Sequence, residues 1–415
     1  MQYQLTAPEQ LYCSIALPAS KSISNRALIL HALSHGNTIP QNLSNCDDTH
    51  VMIKAFREWP ETIDIQAAGT AMRFLTAYLC VTPGTHLITG TQRMKQRPIR
   101  ILVEALRALG AQIEYADEEG FPPLRITGTD LQGNEISLPG HISSQYISAL
   151  LMIGPVLPHG LRLHLTGDII SRPYINLTLQ LMQHYGATAS WETKNTLYAA
   201  HGKYHDVPFL IESDWSGASY WYQLLAVQAH HAPASTHRIE LTGLFPQSSQ
   251  GDRRGAYLFA RLGIQTNYTE QGVCLTPIPR SVSRLEEDLT DIPDLAQTFV
   301  VTCCLLNLPF RFSGLQSLKI KETDRLTALC TELRKLGYVI HAEKESILYW
   351  NGERCLAEAT PVIETYEDHR MAMAFAPASV LYPHLRIHHP EVVSKSYPHF
   401  WEDLKQAGFR IHELI

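Results

Sequence analysis

The sequence predicts an α/β fold built from six repeated units, each with one buried helix, one half-exposed helix and short strands. Three observations carry this. A chain of 415 residues is too long for one ordinary core and, at roughly 100–200 residues per domain, points to two or three domains. An amphipathic helix pattern recurs and stops at glycines 110, 186, 263, 337 and 408, in steps of 76, 77, 74 and 71. A second series, apolar nearly all round, interleaves with the first at the same step. Six such units divide into two domains of three.

The half-exposed helices show the period of 3.6 most plainly in Ile99–Leu109, Leu326–Leu336 and Tyr397–Ala407, with weaker copies ending at Gly186 and Gly263. An earlier copy (Met52, Ile53, Phe56, Trp59) ends at Pro60 instead of glycine. Its step to Gly110 is only 50, so that unit has lost about 25 residues. The buried series comprises residues 20–33, 68–79, 143–154, 213–226, 291–306 and 367–381, each opening on small or polar residues suited to N-caps. Between the helices, Leu161–Leu165, Arg238–Leu241 and Leu385–His388 read as strands.

Composition narrows the class. Apolar residues make 45% and charged residues 18%, which excludes disorder, collagen and coiled coil. Lys plus Arg number 34 against 40 Asp plus Glu, so no global positive field favours nucleic acid. The longest apolar runs, such as Ala149–Leu157, are about half a bilayer span, and the N-terminus does not read as a signal peptide. Eight scattered cysteines without C-x-x-C point to a reduced, cytoplasmic compartment.

Unusual residues gather where the helices begin. A helix N-terminus offers unpaired N–H groups and partial positive charge, a natural site for anions. Lys21, Ser22 and Arg26 belong to the first buried stretch, Ser143, Ser144 and Gln145 to the third, Asp294 to the fifth, and His369 and Arg370 to the sixth. The half-exposed helices add Arg97, Ser171, Arg172 and Lys395, and the KIKETDR segment adds Lys321, Glu322 and Arg325. Eight cations at element starts in a net-acidic chain point to a polyanionic ligand, without which the set would repel itself. Any one of these cations, read alone, is ordinary surface charge. Asp294 and Glu322 each suit either a salt-bridge partner or a proton carrier. No phosphate-loop, dinucleotide or nucleophile-elbow motif is present, and His31 with His35, four apart, has no third ligand to make a metal site.

The motifs PASKSISNRAL, AGTAMR, RMKQRPI, SSQYISALLM, SRPYINLT, DIPDLAQT, KETDRL, EDHRMAMAF and KSYPHF occur in that order, from about Pro18 to Trp401. Together they closely resemble the 5-enolpyruvylshikimate-3-phosphate synthase family (3-phosphoshikimate 1-carboxyvinyltransferases). The resemblance implies a two-domain enolpyruvyl transferase-like fold with three βαβαββ units per domain. The lower domain would comprise 1–16 and 213–415, the upper 17–212, with the active site in the cleft between. It implies transfer of the enolpyruvyl group of phosphoenolpyruvate to the 5-hydroxyl of shikimate 3-phosphate through a tetrahedral adduct, by a monomer needing no metal or organic cofactor. Matched by motif, Lys21, Ser22, Arg26, Ser143, Ser144, Gln145, Ser171, Tyr174, Asp294 and Lys321 are expected at shikimate 3-phosphate. Lys21, Gly69, Arg97, Gln145, Arg325, His369, Arg370 and Lys395 are expected at phosphoenolpyruvate. Asp294 is implied as the base at the 5-hydroxyl and Glu322 as the proton carrier at the methylene, with Lys21 as the third catalytic residue.

Three departures from the family pattern stand out: Ala67 and Ser317 where asparagine is usual, and a short Pro60–Gly69 segment with no room for the usual strands. The sister transferase acting on UDP-N-acetylglucosamine is the nearest rival, but no cysteine adjoins the arginine motifs. A catalytically inactive paralogue would have lost Asp294, Glu322 or Lys21, and all three are present.

Overall fold

Each predicted helix has its counterpart in the computed structural model, which describes residues 1–414. The buried series becomes Lys21–Ser34, Gly69–Cys80, Ser144–Ile153, Trp215–His231, Ala296–Leu305 and His369–Phe375. Every residue of Gly69–Cys80 and of Ala296–Leu305 is buried, as the all-round apolar pattern requires. The half-exposed series becomes Asp47–Glu58, Arg100–Ala108, Arg172–His184, Arg254–Arg261, Arg325–Lys335 and Phe400–Gln406. Two starts come later than the pattern suggested. Pro293–Leu295 forms a separate 3₁₀ turn before Ala296, and the last helix starts only at Phe400, beyond Pro398.

The glycine stops have one cause. Gly110, Gly186, Gly263, Gly337 and Gly408 all lie at φ between +86° and +106°, where a Cβ is disfavoured. The shortened unit stops instead at Trp59, itself left-handed at φ 43°, one residue before the expected Pro60. The lost residues are the hairpin that follows this helix in the other units. In its place Trp59 packs edge-on to Tyr78 and His86, and Phe56 edge-on to Tyr78. The expectation that Pro60–Gly69 lacks room for strands is corrected in one respect, since Thr62–Asp64 is a strand paired in parallel with Thr85–Thr89.

Five four-stranded sheets share one plan, a parallel pair extended by two antiparallel strands. In the Glu135–Pro139 sheet, that strand runs parallel to Leu161–Thr166, then Thr196–Ala199 and Ala189–Trp191 follow antiparallel. In four of the sheets a helix between the parallel strands makes the crossover such pairing needs, whereas Tyr12–Ala16 and Arg238–Thr242 pair in parallel across the whole 19–211 segment. The last sheet departs in sequence but not in space. Its third strand is the N-terminal Gln2–Thr6, between Arg386–His388 and Arg410–Leu414.

The chain divides into two units, each with its own core. One is continuous, Ala19–Ile211, and the other is assembled from Met1–Pro18 and Glu212–Ile415. In the discontinuous unit the two chain passages are tied side by side, Asp214 N–H donating to Pro18 carbonyl at 2.9 Å. No helix among the described residues is long and apolar enough to cross a membrane.

Candidate active site

In the continuous unit the polar residues converge at the starts of its three buried helices. Ser20 caps Lys21–Ser34, accepting from Ile23 N–H, which leaves Lys21 in the first turn with Nζ 3.5 Å from Asp48. Ser143 caps Ser144–Ile153 by accepting from Gln145 N–H, and Gln145 Nε2 donates to Thr70 Oγ1 at 3.1 Å, joining the second and third helix starts. Tyr146 hydroxyl donates to the Pro98 carbonyl at 2.6 Å, which anchors the backbone beside Arg97. Gly69 sits at the meeting point. A Cβ built there would lie 2.7 Å from Arg97 Nη1 and 3.0 Å from Arg73 Nη1, so any larger residue would push the Arg97 guanidinium aside. Arg73 was absent from the sequence-based set, although it lies inside AGTAMR. It is buried, donates to the Gly69 carbonyl at 2.9 Å, and lies 5.9 Å from the Tyr146 ring.

Arg26 is more deeply placed than an exposed grip would be. It is 2% exposed and donates to Thr178 Oγ1 (2.7 Å), the Ser22 carbonyl (2.8 Å), Ser148 Oγ (3.2 Å) and the Tyr174 carbonyl (3.5 Å). These acceptors are neutral, and burial pulls its pKa down to about 10. Arg26 thereby ties the Lys21–Ser34, Ser144–Ile153 and Arg172–His184 helices together. Ser171, the N-cap of the last, is held left-handed at φ 53°, strain of the kind that collects at functional sites. Arg172 turns elsewhere, lying 4.1 Å over the Trp191 ring and donating to the Lys194 carbonyl.

In the discontinuous unit Asp294, Lys321, Glu322, Arg325 and Arg370 form one connected network. Asp294 Oδ1 lies 3.2 Å from Arg325 Nη1 and 3.6 Å from Lys321 Nζ, and its Oδ2 lies 2.9 Å from Arg370 Nη2. Glu322 Oε2 accepts from Arg325 Nη2 at 2.9 Å. Asp368, fully buried and also missed in the sequence reading, accepts from Arg325 Nε at 2.6 Å and caps the sixth buried helix through Arg370 N–H. Its position before His369 is the signal that was available, because an Asp at a helix start is an N-cap. His369 is buried, with Nδ1 3.9 Å from Asp368. Lys395 ends the Pro390–Lys395 turn and donates to the Glu367 carbonyl at 2.7 Å.

The expectation of a self-repelling cationic set fails here. Lys321, Arg325 and Arg370 are matched by Asp294, Glu322 and Asp368, so the network is close to neutral without a ligand. Burial alone would raise the Asp294 carboxyl, but Arg370, Lys321 and Arg325 together hold it well below the usual range. Arg325 stays firmly charged against its burial because Asp368, Glu322 and Asp294 surround it. Asp252, behind this group, bonds to Ser216, and burial with the nearby Asp294 charge pushes it up to about 6.

Repeated α/β units, cations at buried helix starts and a pair of carboxylates among them are the arrangement expected of an enzyme acting on anionic small molecules. The comparisons with known proteins narrow this. The family model described as EPSP synthase (3-phosphoshikimate 1-carboxyvinyltransferase) matches residues 5–64 and 57–404, and the chain belongs to that family. A 3-phosphoshikimate 1-carboxyvinyltransferase of Bacteroides fragilis is 65% identical over 411 residues, 99% of each chain. One from Aliivibrio salmonicida is 34% identical, covering 95% of this chain and 96% of the relative. The solved EPSP synthase of Acinetobacter baumannii has the same fold, with a TM-score of 0.76 at 20% identity, over 99% of this chain and all of that one.

Proposed function

We infer that the chain transfers the enolpyruvyl group of phosphoenolpyruvate to the 5-hydroxyl of shikimate 3-phosphate, releasing phosphate. The near-full-length identity to the Bacteroides relative carries the reaction, and the Asp294 network supports the assignment of roles. In the addition, the 5-hydroxyl oxygen bonds to C2 of phosphoenolpyruvate, its proton passes to Asp294, and the methylene carbon gains a proton from Glu322. In the elimination, the new methyl group returns a proton, the C2–O bond to phosphate breaks, and the enol ether is left. Arg325, Arg370 and Lys395 hold the anionic groups of phosphoenolpyruvate, with His369 packed beside them. Arg97, Lys21, Gln145 and the open backbone at Gly69 are the further residues that the motifs assign to phosphoenolpyruvate. Lys21, Ser22, Arg26, Ser143, Ser144, Ser171 and Tyr174, with Lys321 and Asp294, take shikimate 3-phosphate.

The test is phosphate release from the purified protein with both substrates against each alone, with release only when both are present. Asp294→Asn is expected to lower turnover by roughly 10²–10⁴-fold in the folded protein, the usual worth of a positioned proton acceptor. Turnover near wild type would remove Asp294 as the base.

A further inference from the structure

The network in the discontinuous unit raises a question of charge. Phosphoenolpyruvate brings a carboxylate and a phosphate, close to three negative charges near neutral pH. Two of the cations assigned to it, Arg325 and Arg370, are already engaged, as is Lys321 of the shikimate 3-phosphate set. Arg325 directs Nε to Asp368, Nη1 to Asp294, and Nη2 to both Glu322 and Asp368. Arg370 directs Nη2 to Asp294 and reaches the Tyr220 hydroxyl with Nη1 at 3.5 Å. Lys321 faces Asp294 at 3.6 Å. Of the three carboxylates, Asp368 is fully buried and fixed by its capping role, whereas Asp294 and Glu322 sit at the partly exposed edge.

We propose that Asp294 is an internal counter-ion that phosphoenolpyruvate displaces, so that the base is released from Arg325 and Arg370 only when the substrate anion has taken its place. The proposal rests on the assignment of Asp294 and these cations given above. Asp294 is the group that must yield because it touches all three cations, with both oxygens engaged, and sits at the partly exposed edge. A carboxylate so clamped is a poor proton acceptor, whereas one whose cations have turned to a ligand recovers ordinary basicity. The groups facing it are Lys321, Arg325 and Arg370 as cations, and Glu322 and Asp252 as acids. Both acids favour its protonation once the cations are shared with a new anion. The arrangement orders events, since the base becomes competent only with phosphoenolpyruvate in place and the protein does not hold an uncompensated carboxylate beforehand.

The experiment is calorimetric titration of phosphoenolpyruvate alone, which does not turn over, into wild type and Asp294→Asn. Removing the competing charge is expected to tighten binding by at least about tenfold (about 1.4 kcal/mol) while turnover with both substrates is lost. Equal or weaker binding by a variant that has lost turnover overturns the proposal and leaves the base assignment standing. Wild-type turnover in the variant overturns that assignment itself. Should Asp294→Asn fold poorly, a crystal structure of wild type with phosphoenolpyruvate decides. Separation of Asp294 from Arg370 and Arg325 beyond 4 Å supports displacement, and retention of the 2.9 and 3.2 Å contacts overturns it.

Discussion

Arg26 and Asp252 show what single buried charges do here. Arg26 is held by neutral acceptors, and Ser148 and Thr178 also bond to each other at 2.8 Å, so they stay paired if the arginine is removed. Arg26→Met is therefore expected to leave the thermal midpoint within a few degrees. It should raise the half-saturation value for shikimate 3-phosphate at least about tenfold, since a charge-assisted bond is worth roughly 1.5–3 kcal/mol. Unchanged kinetics would reduce Arg26 to a structural tie. Asp252 has a carboxyl raised to about 6 by burial and by Asp294. A raised acid binds more protons folded than unfolded, so its charge destabilises the fold increasingly as pH rises from about 4 to 6. Asp252→Asn should thus raise stability at pH 8, by up to about 3 kcal/mol, and by less at pH 5. An equal gain at both, read by thermal melts, would refute the shift. The motifs located Asp294, Glu322, Arg325 and Arg370 in the sequence. Their mutual neutralisation was not legible there, because it depends on Asp368 and Arg325, 43 residues apart, packing side by side.

At the scale of elements, the glycine stops were the most legible feature, since spacing and backbone requirement coincide. Gly110 isolates that requirement, because a Cβ there meets only the Gln132 nitrogen at 3.8 Å while φ is +106°. Gly110→Ala is expected to destabilise by roughly 1–2 kcal/mol through backbone strain alone. Gly337→Ala, whose Cβ would also lie 3.1 Å from the Cys355 carbonyl, should cost more. Equal denaturation midpoints for the two would show that crowding adds nothing. The missing hairpin of the first unit was legible as a short step. The aromatic group that replaces it was not, because Phe56, Trp59, Tyr78 and His86 come from three separate elements.

For the whole molecule, the spacing placed six repeats and the family resemblance put residues 1–16 with 213–415, but neither named residues 2–6 as the third strand of the last sheet. Alternation in so short a segment cannot name a partner at the other end of the chain. Deleting residues 1–6 should leave Arg386–His388 and Arg410–Leu414 without a common neighbour and sharply lower the melting temperature. The segment 19–211, with its own core, is expected to fold alone, and an amide spectrum without dispersed signals would contradict that.

The borrowed strand also sets a timetable for synthesis. Gln2–Thr6 is made before both of its neighbours, which follow some 380 residues later, about 20–80 s at roughly 5–20 residues per second. Throughout that interval the nascent chain carries an unmated edge, while the continuous middle segment is free to complete itself. The polar Gln2 and Gln4 of that strand keep the waiting ribbon from being wholly apolar.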